Sequence, residues 1–197
     1  MNFNFKTDYI LEDKRVILSP LKTKHVENLL TFSENEPEIW MFSLVKANGK
    51  ENLKHYIDLA LKAKDKETEY PFVVFDKKNN QFAGTTRFYD IQLHNKTLQL
   101  GYTWYGKEFQ GTGLNKHCKL LLLEFAFEKM QMERVEFRAD ANNEKSIAAM
   151  KSIGCTVEGV LRKNALKIDG GRRDSIILSI LKDEWNHQVK QNLKNKL

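Results

Sequence analysis

Apolar residues along the chain change their spacing several times, and each change marks an element. Residues 15–18 (Arg-Val-Ile-Leu) alternate as a first strand that Ser19 and Pro20 stop, and Thr23 then reads as the cap of a helix running to about Ser33. Leu53, Ile57, Ala60 and Leu61 recur three and four positions apart, with Lys64 in the same rhythm, which predicts a second helix over 50–66. From Tyr70 the period shortens to two: a run ending at Asp76, a turn at 77–80, a second run over 82–91 and a third over 97–105. The links between these runs are too short for a crossover helix, so the three strands are antiparallel neighbours.

Helical spacing returns over 113–130. Leu114, Cys118, Leu121, Leu122 and Phe125 fall on one side and His117, Glu124 and Glu128 on a polar stripe, while Leu120, Leu123 and Phe127 widen the apolar face. Such a helix lies deeply against a sheet. A short alternating strand follows at 134–139, then a helix over 144–152 closed by Gly154, strands at 156–161 and 175–181, and a polar C-terminal helix. This order predicts an α/β (α+β) fold: a mixed, mostly antiparallel central sheet flanked by helices.

Length narrows the organisation to a single domain over 1–197, with a core over about 15–182 and a polar tail over 183–197, because one core serves up to roughly 250 residues. A hydrophobic content of 41% is enough to fold without staples. Cys118 and Cys155 show no metal spacing, and His25, His55, His94, His117 and His187 are dispersed, so no metal is expected. The start lacks the apolar core of a signal peptide, and the longest apolar run spans only 120–123. These features predict a reduced, cytoplasmic protein with no membrane association.

Lys and Arg exceed Asp and Glu by 32 − 26 = +6, an excess suited to an anionic ligand. The lysines are scattered rather than clustered with stacking aromatics, so a nucleic-acid partner is not expected. The densest group, at 190–196, reads as a solvated, fraying end.

The chemistry concentrates in 101–116, where a strand passes through a glycine-containing loop straight into a helix. Gly111 and Gly113 remove side chains where backbone N–H groups and the helix dipole converge, which makes an anion site suited to phosphate. Local spacing alone also allows Gly106, Gly111 and Gly113 merely to form a tight turn. Neither a GxxxxGK[ST] string nor GxGxxG is present.

Gln110 to Asn115 resembles the Q/R-x-x-G-x-G/A motif of the GNAT superfamily of acyl-CoA-dependent N-acyltransferases, with Gln110 and Gly113 matching and Asn115 standing where Gly or Ala is usual. A second block over 140–162 resembles the branch that holds ribosomal-protein N-terminal acetyltransferases. There Asn143, Ser146, Gly154, Glu158, Gly159 and Arg162 fall in register, while Ser152 and Cys155 displace the usual Lys and Phe. The resemblance covers approximately 15–182.

It implies a splayed pair of strands whose gap takes the pantetheine arm of acetyl-CoA, the cosubstrate. Leu100 and Tyr102 would supply the strand edge, and Gln110, Gly111, Thr112, Gly113, Leu114 and Asn115 would wrap the pyrophosphate. Asn143 would contact the arm and Ser146 would lie near the sulfur. Read without the resemblance, Asn142 and Asn143 are a helix cap and Ser146 a first-turn residue. Tyr102 and Trp104 alternate on one face and could wall an acceptor slot or simply fill the core, and Lys107 and Lys116 could meet phosphates.

The implied reaction is direct attack of a neutral amine on the acetyl thioester. A lysine amine is about 0.04% neutral at pH 7, whereas an α-amine is roughly 10 to 20% neutral. Many relatives carry Glu where Gln99 stands, and the tyrosine that many use as an acid is replaced by Met150. Ser146 with water, or else Tyr102 or Glu108, would then move protons. The expected function is N-acetylation of a protein N-terminus or small amine, compatible with a homodimer; the alternative is a non-catalytic acyl-CoA-binding or sensing domain.

Overall fold

The computed structural model describes residues 3–197. A short β1 (Leu11–Glu12) and β2 (Val16–Pro20) lead into α1 (His25–Asn35), a 3-10 turn at Pro37–Trp40 and α2 (Lys50–Asp65). The antiparallel run β3 (Tyr70–Asp76), β4 (Gln81–Gln92) and β5 (Thr97–Tyr105) follows, then a 3-10 turn at Lys107–Phe109 and α3 (Leu114–Glu124). The chain closes with β6 (Arg134–Asp140), α4 (Glu144–Ser152), β7 (Thr156–Leu166), β8 (Arg172–Leu181), and the C-terminal turns α5 (Lys182–Glu184) and α6 (Lys190–Lys194).

All eight strands form one sheet in the order β1-β2-β3-β4-β5-β6-β8-β7. Every pairing is antiparallel except β5 with β6, the pair joined through α3. The expected mixed, mostly antiparallel sheet is therefore present. Successive residues of a strand face opposite sides, and β4 shows which helices cover each side. Arg87 lies against Tyr56 of α2, whereas Phe88 stacks on Phe125 beyond the end of α3.

Several local expectations change. The first strand continues through Ser19 and Pro20, and Pro20 pairs with Phe72 at its end, where a missing N–H costs least. Thr23 does not cap α1. The helix begins at His25, Lys24 makes no side-chain cap, and the buried His25 Nδ1 instead accepts from the Lys22 N–H at 2.9 Å. His117 leaves the polar stripe: it is buried, with Nδ1 2.6 Å from Asp13 Oδ2.

The long helix of 113–130 changes to a π turn at Phe125–Lys129. The turn lets Phe125 meet Tyr9 while Phe127 stacks on Trp185. The C-terminal segment is accordingly docked rather than fraying, since Trp185, Val189 and Leu193 are all buried. β7 and β8 run further than expected because their shared hairpin is almost wholly exposed and has no apolar alternation to read.

Candidate active site

β5 and β6 pair over three positions only, Thr97 with Arg134, Leu98 with Val135 and Gln99 with Glu136. Beyond these, β5 stays with β4 as far as Tyr105 and β6 stays with β8 as far as Asp140. A wedge opens at Leu100, and the backbone groups along its two edges lose their ladder partners.

A bulge produces the divergence. Arg87 pairs with Gly101 but Thr85 pairs with Trp104, so two steps on β4 face three on β5. The extra residue is Tyr102, at φ +48°, a conformation that costs a non-glycine residue about 1–3 kcal/mol. Its surroundings hold it there. The Arg87 guanidinium lies 3.6 Å from the ring centroid, Tyr89 meets the ring edge-on at 5.1 Å, and the Tyr56 hydroxyl donates to Tyr102 O at 3.3 Å. Glu69 is ion-paired with Arg87 in the same cluster. Gly84, paired with Tyr105 just past the bulge, admits no side chain, because a Cβ would fall 2.0 Å from Trp104 O.

Gln99, Tyr102 and Trp104 all face the α1/α2 side. Trp104 packs against Trp40 at 4.7 Å and Phe32 at 6.4 Å. Gln99 donates through Nε2 to Asp90 Oδ2 at 2.9 Å. Burial, the largest influence, raises the Tyr102 phenol above its ordinary range, against the Arg87 charge that lowers it. Tyr102 is thus a hydrogen-bond donor at neutral pH and unsuited to the role of base.

The loop after β5 is tied at several points. Gln110 Nε2 donates to Tyr105 O at 2.9 Å, and its Oε1 accepts from Lys145 on α4, which links the loop to the β6 side of the wedge. Thr112 Oγ1 donates to Phe109 O at 2.8 Å, and Asn115 Oδ1 accepts from the Tyr105 hydroxyl at 3.2 Å. That last contact gives the asparagine a local reason: it fastens the first turn of α3 to β5.

Gly111 and Gly113 have φ of +75° and +88°, and no atom lies within 4 Å of where a Cβ would stand. The N–H groups of Gly111, Thr112, Gly113 and Asn115 have no acceptor among the described residues. Leu114, by contrast, is buried and anchors the helix. Of the two lysines near the loop, Lys107 is engaged with Glu38, whereas Lys116 forms no ion pair among the described residues.

Across the wedge, Asn143 caps α4 by accepting from the Ser146 N–H at 3.0 Å, so its capping role is real and its amide N–H donors remain available. Ser146 is half-buried in the first turn of the helix. Glu108 sits apart from Ser146: it is exposed in the 3-10 turn and accepts from Gln81 Nε2 at 3.0 Å. Leu100 and Tyr102 thus lie on the β5 edge of the wedge, and the 110–115 loop that follows is linked through Gln110 and Lys145 to the helix that carries Asn143 and Ser146. No cluster of three or more metal-ligating side chains occurs among the described residues, and no helix among them is long and apolar enough to cross a membrane.

One residue absent from the expectations is Lys119, 5% exposed on α3. Its signal was present in the sequence, since Leu122, Leu123 and Ala126 follow it at the spacings of one helical face.

The sequence that builds most of this sheet and the loop, residues 15–156, matches the family model of the acetyltransferase (GNAT) domain. The chain belongs to the GNAT acetyltransferase family. Among its relatives, the "Probable N-acetyltransferase YjcK" of Bacillus subtilis is 28% identical over 178 residues, covering 87% of this chain and 97% of that one. The "Putative ribosomal N-acetyltransferase YdaF" of the same organism is 33% identical over 107 residues, 54% of this chain and 57% of that one. The fold also matches the microcin C7 self-immunity acetyltransferase MccE, solved with acetyl-CoA and AMP, at a TM-score of 0.76 and 24% identity over 86% of this chain and 93% of that one. As a GNAT protein the chain is an acyltransferase enzyme, and the resemblance to the ribosomal N-acetyltransferase branch holds.

Proposed function

We propose that this GNAT enzyme uses acetyl-CoA to acetylate the α-amine of a peptide N-terminus. The observation that carries the cosubstrate is the cradle at Gly111 and Gly113, open to an incoming group and lined by N–H groups without partners. The MccE complex with acetyl-CoA supports the same reading. The Gly111–Asn115 amides would hold the pyrophosphate, and the free edge of β5 from Leu100 would pair with the amide-bearing arm, with Asn143 donating from the opposite wall. Bound there, acetyl-CoA supplies an activated acyl thioester. Ser146, at the inner turn of α4, is the hydroxyl suited to passing a proton through water.

Three buried side-chain atoms without partners among the described residues, Trp40 Nε1, Trp104 Nε1 and Gln99 Oε1, support this acceptor class. All three lie on the α1/α2 side of β5 or pack against it, and an unmet buried polar group costs about 1–3 kcal/mol. Two donors and an acceptor suit a ligand that carries both carbonyl oxygens and N–H groups beside its amine. A peptide N-terminus has both, whereas a polyamine offers no oxygen. An α-amine also arrives roughly 10 to 20% neutral at pH 7, which relaxes the need for a carboxylate base where Gln99 stands.

The test is thiol release from acetyl-CoA with N-terminal peptides, free amino acids and polyamines as acceptors. Turnover with peptides, and little with spermidine-type amines, is expected. Turnover confined to polyamines overturns the acceptor, and tight acetyl-CoA binding with no turnover across the panel overturns the transferase reading in favour of an acyl-CoA sensor.

A further inference from the structure

Lys119 is a buried cation without a counter-charge. Its Nζ donates to Thr103 Oγ1 at 2.8 Å, and Thr103 Oγ1 lies 2.7 Å from Thr86 Oγ1 and 3.4 Å from Gly101 O. An ammonium has three N–H donors, and no carboxylate of the described residues comes within ion-pair distance of this one. The titratable groups that face it are Cys118 on its own helix and Cys155 at the turn between α4 and β7. Burial pushes both thiols up to about 12, so neither supplies a thiolate to balance the charge. Thr86 on β4 and Thr103 on β5 are neutral.

Such a position is a liability for folding, because a methionine of similar length would pack there without an unpaired buried charge. Residues that sacrifice stability in this way concentrate where chemistry needs them. Thr103 belongs to the stretch of β5 that has already left β6, so the ammonium stands at the β5 wall of the wedge, on the α3 side. Cys155, which faces it, hangs by its N–H on Met150 O at 3.2 Å. Met150 occupies the position where many relatives carry an acidic tyrosine, and a thioether cannot donate a proton. Through Thr103, whose Oγ1 is 3.4 Å from Gly101 O, two residues past the last β5–β6 pair at Gln99, the Lys119 ammonium stands beside the opening of the wedge.

We propose that Lys119, held by Thr103, is the proton donor to the thiolate that leaves when the acyl group is transferred. The acceptor nitrogen forms the C–N bond and the C–S bond breaks with its electron pair passing to sulfur. One ammonium proton of Lys119 then moves to that sulfur and yields the free thiol. The proton lost by the acceptor nitrogen goes to solvent, from which the neutral lysine is reprotonated. The proposal rests on the acetyl-CoA reading above.

Burial, the dominant influence, pulls Lys119 down to about 8, so the acid form is depleted as pH rises through that value and kcat should fall there. The experiment compares wild type, K119M and K119R. It measures kcat against pH at saturating acetyl-CoA and peptide, acetyl-CoA affinity by calorimetry, and Tm. K119M is expected to keep or raise Tm, to bind acetyl-CoA within about threefold of wild type, and to lose at least tenfold in kcat together with the alkaline limb. K119R keeps the charge but its guanidinium does not release a proton, so it should also lose kcat and lack the limb.

A K119M protein with wild-type kcat overturns the proposal. So does a K119R protein that keeps the alkaline limb near 8, or a loss of kcat in both variants that merely follows lowered Tm and weakened acetyl-CoA binding. Failure of the wild-type protein to bind acetyl-CoA would instead sink the underlying cosubstrate reading, and the Lys119 role with it.

Discussion

Replacing Gly113 by alanine separates what the loop does for folding from what it does for ligand. Gly113 caps α3 at φ +88° and ψ −16°, and nothing lies within 4 Å of the added methyl. The cost to folding is therefore the left-handed backbone alone, about 1–2 kcal/mol, or roughly 2–8 °C in Tm for a chain of this size. The methyl would occupy the open space beside Gly113, in a loop whose Gly111, Thr112 and Asn115 N–H groups have no acceptor among the described residues, where a pyrophosphate would have to approach. Losing one charge-assisted hydrogen bond costs about 1.5–3 kcal/mol, or roughly 10- to 150-fold in Kd. Calorimetric titration with acetyl-CoA, alongside thermal unfolding, reads both quantities. Gly154 is the control: it has φ +99°, but its Cβ would meet Val189 Cγ1 at 2.9 Å, so G154A should lose stability and keep affinity in whatever fraction folds. A folded G113A protein that binds acetyl-CoA within twofold of wild type would refute the cradle.

Three further outcomes follow from single side chains. His25 is buried and accepts at Nδ1 from Lys22 N–H, and burial, aided by Lys24 and Lys22, lowers it from 6.5 to about 4. The unfolded chain then binds the extra proton between those values, so stability is whole above about 6.5 and declines as pH falls towards 4. The loss is about 2 kcal/mol between pH 7 and 5, measured by urea unfolding, and an H25Q protein with the same pH slope would contradict it. Gln99→Glu sets a second carboxylate against Asp90 Oδ2, now 2.9 Å from the amide. The pair should hold a proton near neutral pH and cost about 1–3 kcal/mol at pH 8, regained towards pH 5, and an unfolding midpoint equal to wild type at both pH values would exclude this. Trp104→Phe removes an indole N–H that has no partner among the described residues; the peptide KM should rise severalfold with the acetyl-CoA KM unchanged, and an unaltered peptide KM would remove Trp104 from acceptor binding.

Elements with a strong local rhythm were legible, and contacts between distant segments were not. The bounds of β5 and α4 follow from alternation over 97–105 and from a helix closed at Gly154, signals contained within a few residues. His117 looks solvent-facing on a helical projection because its partner, Asp13, lies 104 positions away. The same holds for the C-terminus, where Trp185 is buried against Phe127 although the surrounding sequence is polar. The candidate site residues came from the resemblance to the GNAT motifs, which names the loop and the Asn143–Ser146 turn together. The bulge was hidden, since Tyr102 in a strand carries no mark of a positive φ.

That bulge connects the fold to the chemistry. A regular β5 would place Tyr102 in register and continue its pairing with β6 past Gln99, closing the opening. The inserted residue turns the strand away and leaves both edges unpaired, a cost borne by the Arg87, Tyr89 and Tyr56 contacts that hold Tyr102 in place. It also keeps Gln99, Tyr102 and Trp104 on the α1/α2 face while Thr103 turns to α3 and takes the Lys119 hydrogen bond. The two sides of β5 therefore differ in kind: one holds buried unpaired polar groups, which the proposed reading assigns to the acceptor, and the other a cation, which it assigns to the leaving thiolate. A transfer reaction needs that separation, because the nucleophile and the leaving group must be served from different directions across one carbonyl carbon.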